Sequence, residues 1–334
     1  MIHKNDALYA IVDQLMIEGK GILAADESDA TAGKRLEIAG LPNQPGNRQD
    51  FREIMFTAPG IEEYLSGVIL YDSTIRENTD VGIPFSDVLA ARGIVPGIKV
   101  DKGTKELQMF PGEVVTEGLD ELSDRLHEYY GLGARFTKWR SVVTIGDRIP
   151  TDEVLRLNAV QFALYAHRVQ EAGMVPIVEP EVIFTGKHSI DKAESVTTRA
   201  LQVLFETLRT YKVDLGGLIL KSSMVLAGSE NPNESTPEEV ALATVRTFQL
   251  SVPKEVGGIV FLSGGQTPKR STMNLNAVAK VGKQAWPITF SFSRALEEPV
   301  LTTWQGKPEN IPGAQKALLE TLKENSLAQQ GKLS

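Results

Sequence analysis

Lys221 ends an apolar run, Leu218-Ile219-Leu220, inside the stretch GGLILKSSMV at 216–225. A short apolar run bounded by glycines reads as a buried strand. A lysine at the end of such a strand loses hydration without an obvious local partner. Its pKa is then expected to fall, which frees the amine as a nucleophile. Taken alone, the residue is better read as a surface or salt-bridged lysine. Other apolar runs end in the same way, however, on Asp26, Lys99, Lys138 with Arg140, Glu179 with Glu181, Ser263, and Ser291 with Arg294. Any one of these could belong to a stabilising ion-pair network. As a set they favour chemistry.

The mixture of types says which chemistry. Lysines sharing a pocket depress one another's pKa, because each cation disfavours the next. A neutral lysine attacks a ketone to give a carbinolamine and then an iminium. Loss of water in that step needs an acid, for which Glu179 and Glu181 are the candidates. The iminium is an electron sink, so an adjacent carbon–carbon bond can be cleaved or formed. This is aldol chemistry without a metal. The histidines His3, His127, His167 and His188 lie on predicted helices or loops, show no ligand spacing, and read as surface residues.

The elements that must position these groups follow from periodicity. Apolar strands are predicted at 21–26, 67–72, 95–101, 135–142, 174–182, at the run ending in Lys221, at 257–265 and at 287–294. Lys138 and Arg140 lie two apart and share a face of the fourth strand, as Glu179 and Glu181 do on the fifth. Helices are expected over about 6–18, 34–39, one or two within 48–65, 117–130, 152–172, 190–212, 237–250, 272–281 and 312–330. Thr151 should cap one of them, and Thr236-Pro237-Glu238-Glu239 reads as a capping box with proline at the first helical position.

Repeated βα units imply parallel strands with right-handed crossovers. Eight of them without a composition shift or long linker point to a single-domain α/β protein, a (β/α)8 barrel with an extra N-terminal helix and a C-terminal helix. A doubly wound open sheet is the alternative, but no G-x-G-x-x-G follows the first strand. In a barrel all strand C-termini converge on one face, where active sites are built. The Ser263-Gly264-Gly265 turn after the seventh strand, with Ser291 and Arg294 on the eighth, then falls in the usual phosphate corner. The glycines could equally make only a tight turn. A second anion pocket is expected from Ser28, Thr31, Lys34 and Arg35, although the last two also suit a solvated helix face.

Bulk composition narrows the partners. The chain has 334 residues, a net charge of −8 and no cysteine. A thiol nucleophile, a disulfide framework and a thiolate metal site are excluded. The acidic balance argues against nucleic acid or an anionic membrane as the main partner. The N-terminal stretch mixes charges into its apolar positions and lacks a signal-peptide core, so a cytoplasmic protein is expected.

KGILAADES, GIKVDKG, the F-x-K-W-R of the fourth strand, PIVEPE, LILK-x-x-MV, FLSGGQ and F-S-x-x-R-A-L occur in this order between about residue 20 and Lys332. Together they resemble class I fructose-bisphosphate aldolases over essentially the whole chain. The resemblance implies reversible cleavage of fructose 1,6-bisphosphate, in glycolysis and gluconeogenesis, to dihydroxyacetone phosphate and glyceraldehyde 3-phosphate. It implies that Lys221 forms the Schiff base and that Glu179 is the acid/base, with Glu181 helping to set its protonation. Asp26 would orient the C4 hydroxyl and support the lysines. Lys138 would polarise the C2 hydroxyl and lower the Lys221 pKa. Ser263, Gly264, Gly265, Ser291 and Arg294 would hold the C1 phosphate. Ser28, Thr31, Arg35, Lys99 and Arg140 would hold the C6 phosphate and nearby hydroxyls. No cofactor is implied, and the family's common tetramer makes a homo-oligomer the expectation.

Four departures from the family pattern stand out. Thr31 replaces a usual serine but keeps the hydroxyl. Ser222-Ser223 stand where Pro-Asn commonly follows the lysine, so the loop leaving the sixth strand is expected to differ. Ser293 occupies a common glycine position, where a side chain could crowd a backbone contact to phosphate. Animal members continue past Q-G-K into a mobile tail whose terminal tyrosine reaches the site, and with this chain ending at Ser334 that relay is expected to fall to water or another residue. Bisphosphate and monophosphate substrates both stay open at this stage. Two other functions fit part of the pattern: a different Schiff-base barrel lyase, such as a transaldolase or keto-acid aldolase, and a binding-only scaffold.

Overall fold

The computed structural model describes residues 4–333. Eight parallel strands close into a barrel: β1 (Gly21–Ala25), β2 (Leu65–Leu70), β3 (Val95–Lys99), β6 (Phe136–Val143), β7 (Val175–Val182), β8 (Ile219–Ser222), β9 (Gly258–Phe261) and β10 (Ile288–Phe292). Closure comes where β1 pairs with β10, Ile22 opposite Ser291. The order around the barrel is β1-β10-β9-β8-β7-β6-β3-β2, so strands adjacent in sequence are adjacent in space. The open-sheet alternative is thereby ruled out.

Alternation along each strand decides what the barrel encloses. Ile22 and Ala24 of β1, Val175 and Ile177 of β7, Phe136 of β6, Ile219 of β8 and Val260 of β9 form one buried apolar cluster inside it. The neighbouring residues Leu23, Ala25, Val178, Leu220 and Phe261 point outward into a second cluster shared with the surrounding helices. Two residues further along the inward-facing register come Asp26, Glu179, Lys138 and Lys221. The same side-chain period that fills the barrel with hydrocarbon thus delivers charge to its C-terminal mouth.

The opposite end is closed by α1 (Lys4–Leu15), whose Leu8, Val12 and Leu15, together with Met16, join the interior cluster. Phe136 fills the centre only because Gly97 faces it: a Cβ there would come within 2.3 Å of the ring.

The remaining helices pack outside: α2 (Asp29–Ile38), α3 (Pro45–Phe56), α4 (Asp72–Ile75), α5 (Phe85–Ala91), α6 (Leu122–Gly131), α7 (Asp152–Glu171), α8 (Ile190–Thr210), α9 (Pro237–Ser251), α10 (Pro268–Lys280), α11 (Arg294–Trp304) and α12 (Ile311–Gln329). Thr151 caps α7 by accepting from the Val154 N–H at 3.3 Å. The capping box at α9 is complete: Thr236 Oγ1 accepts from Glu239 N at 3.2 Å and Glu239 accepts from Thr236 N at 2.8 Å. Three features were not anticipated. A two-stranded antiparallel hairpin, β4 (Thr104–Glu106) and β5 (Val114–Thr116), lies between β3 and β6. Helices α4 and α5 are short, and α11 starts after a single residue at the end of β10. Arg294, expected to end a strand, is instead the first residue of that helix.

Candidate active site

At the mouth of the barrel four charged side chains, each nearly inaccessible to solvent, form a chain of ion pairs. Lys138 Nζ lies 2.6 Å from Asp26 Oδ2 and 3.2 Å from Glu179 Oε2. Lys221 Nζ lies 3.3 Å from Glu179 Oε1. Lys221 therefore does have a partner, contrary to the expectation from its sequence neighbours. That partner comes from the adjacent strand β7, a relation no local pattern contains.

The charge states follow from these contacts. Burial opposes the charge on Asp26, but Lys138, Lys221 and Lys99 together outweigh it, and the carboxyl is held well below its usual range. Burial likewise opposes ionisation of Glu179, and Lys138, Lys221 and Arg140 overcome it, so Glu179 rests as a carboxylate. For Lys138 the cost of burial is exceeded by the pull of Asp26 and Glu179, and its pKa is raised. The expectation that clustered lysines depress one another is corrected for Lys138, because the carboxylates interleaved between the cations dominate.

Beside this centre Arg140 Nε donates to Glu181 Oε2 at 2.5 Å, which takes up the second acid of β7. Lys99 ends β3 with its ammonium 4.9 Å from the centre of the Tyr71 ring, a cation–π contact. Ser28 caps α2, and its hydroxyl and that of Thr31 are 3.1 Å apart. Arg35 is ion-paired with Glu27 and Glu297, so its charge is largely taken up within the protein.

The corner expected to take a phosphate is built by backbone shape. Gly265 has φ +77°, and a Cβ there would fall 2.3 Å from Phe184. A Cβ on Gly264 would meet only the movable ends of Glu181, at 2.7 Å, and Leu262, so the strict requirement for glycine lies at Gly265. Ser263 and Ser291 are buried, and the Ser291 hydroxyl has no partner among the described residues. Arg294 Nη2 donates to the Gln266 carbonyl at 3.3 Å, which fixes it over this turn.

Asp26, Ser28, Thr31, Arg35, Lys99, Lys138, Arg140, Glu179, Glu181, Lys221, Ser263, Gly264, Gly265, Ser291 and Arg294 all line one cavity of about 550 Å³. Its cations outnumber its carboxylates, which suits an anionic ligand. A second cavity of about 720 Å³ adjoins it and shares Ser28, Thr31, Lys99, Lys138 and Arg140. In the loop leaving β8 the Ser222 hydroxyl donates to the Ser223 carbonyl, and the Ser223 hydroxyl to the Val182 carbonyl at 3.1 Å. These bonds pin the segment that replaces Pro-Asn.

Sequence reasoning missed a buried quartet behind the site. Arg52 donates to Glu27 at 2.5 Å and to Glu297 at 2.8 Å, while Arg35 pairs with both acids. The adjacency of Glu27 to Asp26 was the available signal. Arg52 and Glu297 lie on buried helix faces and gave none.

A parallel (β/α)8 barrel that buries a lysine against a carboxylate at the C-terminal ends of its strands has the groups that a lyase working through an amine requires. A family model for fructose-bisphosphate aldolase class-I matches residues 7–334. A probable fructose-bisphosphate aldolase class 1 of Xanthomonas axonopodis pv. citri is 46% identical, over 95% of this chain and 96% of its own length. The cytoplasmic isozyme of fructose-bisphosphate aldolase from Cicer arietinum is 48% identical, over 98% of this chain and 91% of its own. Among solved structures, fructose-bisphosphate aldolase from Plasmodium falciparum, crystallised with TRAP and a small-molecule inhibitor, superposes with a TM-score of 0.98 at 41% identity, covering 99% of this chain and 96% of that one. The chain belongs to the class I fructose-bisphosphate aldolase family, and it is an aldolase.

Proposed function

We propose that this aldolase cleaves fructose 1,6-bisphosphate reversibly to dihydroxyacetone phosphate and glyceraldehyde 3-phosphate, a step of glycolysis and gluconeogenesis, through a Schiff base on Lys221. The observation that carries this reading is Glu179, held as a carboxylate 3.3 Å from the Lys221 ammonium. Glu179 takes a proton from Lys221, and the neutral amine adds to the C2 ketone. A proton passes from the adduct nitrogen to its oxygen, an exchange that the Lys138 ammonium assists by polarising the C2 oxygen. Glu179, now protonated, returns its proton to the carbinolamine hydroxyl, water leaves, and the iminium forms with Glu179 ionised again.

Glu179 then accepts the C4 hydroxyl proton, with Asp26 orienting that hydroxyl. The C3–C4 electron pair moves to C3 and into the iminium, giving an enamine and the free aldehyde. Protonation at C3 and hydrolysis release the ketone phosphate and restore the lysine. Ser263, Gly264, Gly265, Ser291 and Arg294 hold the C1 phosphate in this reading. Ser28, Thr31, Lys99 and Arg140 take the C6 end in the same reading, with Arg35 acting there through its ion pairs. Glu181, bound to Arg140, acts on Glu179 by way of that arginine.

The chain is read as a single barrel domain and as a homo-oligomer, a tetramer by family resemblance. A cytoplasmic location is supported by the names of the plant relatives. No helix among the described residues is long and apolar enough to cross a membrane.

Borohydride trapping tests the mechanism. Protein incubated with dihydroxyacetone phosphate and excess EDTA, then reduced and digested, should carry the adduct on the peptide containing Lys221. Folded protein that yields no adduct on any lysine, or an adduct elsewhere, contradicts it.

A further inference from the structure

Ser293 joins the buried quartet to the phosphate corner. It is the N-cap residue of α11, and such a serine ordinarily accepts a hydrogen bond from the first turn of its own helix. Here its side chain makes no capping bond. The hydroxyl donates instead to Glu27 Oε1 at 2.5 Å, just past the end of the paired strand β1, and both residues line the cavity. Glu27 cannot follow the hydroxyl, since Arg52 and Arg35 grip its carboxylate and Glu297 of α11 grips the same two arginines. The Ser293 carbonyl accepts from Leu296 N at 2.9 Å and Glu297 N at 3.1 Å, which leaves the first two N–H groups of the helix, those of Arg294 and Ala295, without an intrahelical partner. Beside them the buried Ser291 hydroxyl is unpartnered among the described residues.

We propose that Ser293 is a positioning residue of the ketose-1-phosphate subsite: its bond to Glu27 turns the hydroxyl away from the α11 amides and fixes that helix terminus, leaving those amides and Ser291 to the phosphate. The proposal rests on reading this corner as a phosphate subsite. It also answers the concern that a side chain at position 293 crowds the phosphate, because the side chain is drawn toward Glu27. The bond lies outside the proton path through Lys221 and Glu179, so its loss weakens binding rather than chemistry.

The test uses the full chain with Ser293→Ala and Ser293→Thr. Steady-state cleavage of fructose 1,6-bisphosphate, inhibition by inorganic phosphate, and thermal melts are compared with wild type. Ser293→Ala is expected to raise KM and the phosphate inhibition constant by about 5–10-fold, the size of one ordinary hydrogen bond lost. Its kcat should stay within about twofold and its melting temperature within about 2 °C, while Ser293→Thr, which restores the hydroxyl, should recover both constants. Unchanged KM and phosphate inhibition in Ser293→Ala overturn the proposal. So does a parallel fall of kcat, affinity and melting temperature that threonine does not rescue. If phosphate fails to inhibit the wild type competitively, the subsite reading itself fails, and the inference with it.

Discussion

Glu179 sits between Lys138 and Lys221, which suits it to serve as both base and acid in the proposed turnover. Pairing holds the resting charge on Glu179, and the proposed proton transfer with Lys221 would run across a contact already made. The same pairing ties the site to stability through pH. The folded pKa of Asp26 is lower than the unfolded value of 3.8, so its contribution is fully present above that value and lost as pH falls toward the folded pKa. Lys138 has the opposite sign: its contribution is full below 10.5 and lost as pH rises through the folded value. Asp26→Asn should therefore be less stable than wild type by about 3 kcal/mol at neutral pH, the usual order for breaking a buried pair. In urea denaturation that gap should be flat from about pH 5 to 8 and begin to close only near and below the unfolded carboxylate value. A gap that already shrinks between pH 8 and 5 would mean Asp26 is not the ionised partner of Lys138. Tyr71, which carries Lys99 on its ring, was invisible in the sequence because a cation–π pair between two strand ends has no local spacing.

The elements divide the barrel into a structural end and a chemical end. Helix α1 plugs the first with Leu15, which is fully buried against the barrel interior. Leu15→Ala should cost about 2–5 kcal/mol through lost burial and a residual cavity, yet change kcat and KM by less than about twofold, because the charges lie at the other mouth. Loss of activity in a variant that keeps its stability would show that the two ends are coupled. The strands were legible because each repeats the same alternation, and α7 and α9 because Thr151 and Thr236 cap them. The hairpin β4–β5 was not, since its strands are short and β4 is fully exposed, so neither carries an apolar period. Helix α11 was missed because Pro299 lies inside it and only Ser293 separates it from β10.

At the scale of the whole molecule, an acidic chain gathers seven of its 35 lysines and arginines around one cavity. The outer surface carries apolar residues as well: Leu157 and Leu164, seven apart and hence on one face of α7, are 40% and 36% exposed. Two leucines are ordinary surface exposure, so the proposed tetramer rests on the family resemblance and needs a direct test. Sedimentation velocity at micromolar concentration should show a species of four 36.5 kDa chains, and a persistent monomer would refute that assembly.

The sequence by itself determined the barrel and the charged residues at its strand ends, and the roles proposed for Lys221 and Glu179 came from the family resemblance. Strand alternation places Asp26, Lys138, Glu179 and Lys221 inward at the strand ends, and βα repetition closes the strands into one ring. Only the tertiary structure decided the charge states and the clamps. Whether Lys138 is acidified or held as a cation depends on which carboxylates interleave with the lysines across neighbouring strands. The gathering of Glu27, Arg35, Arg52 and Glu297 brings together the end of β1 and three helices, up to 270 positions apart in the chain. Electrostatic energy depends on distances through space, and local sequence patterns encode only distances along the chain.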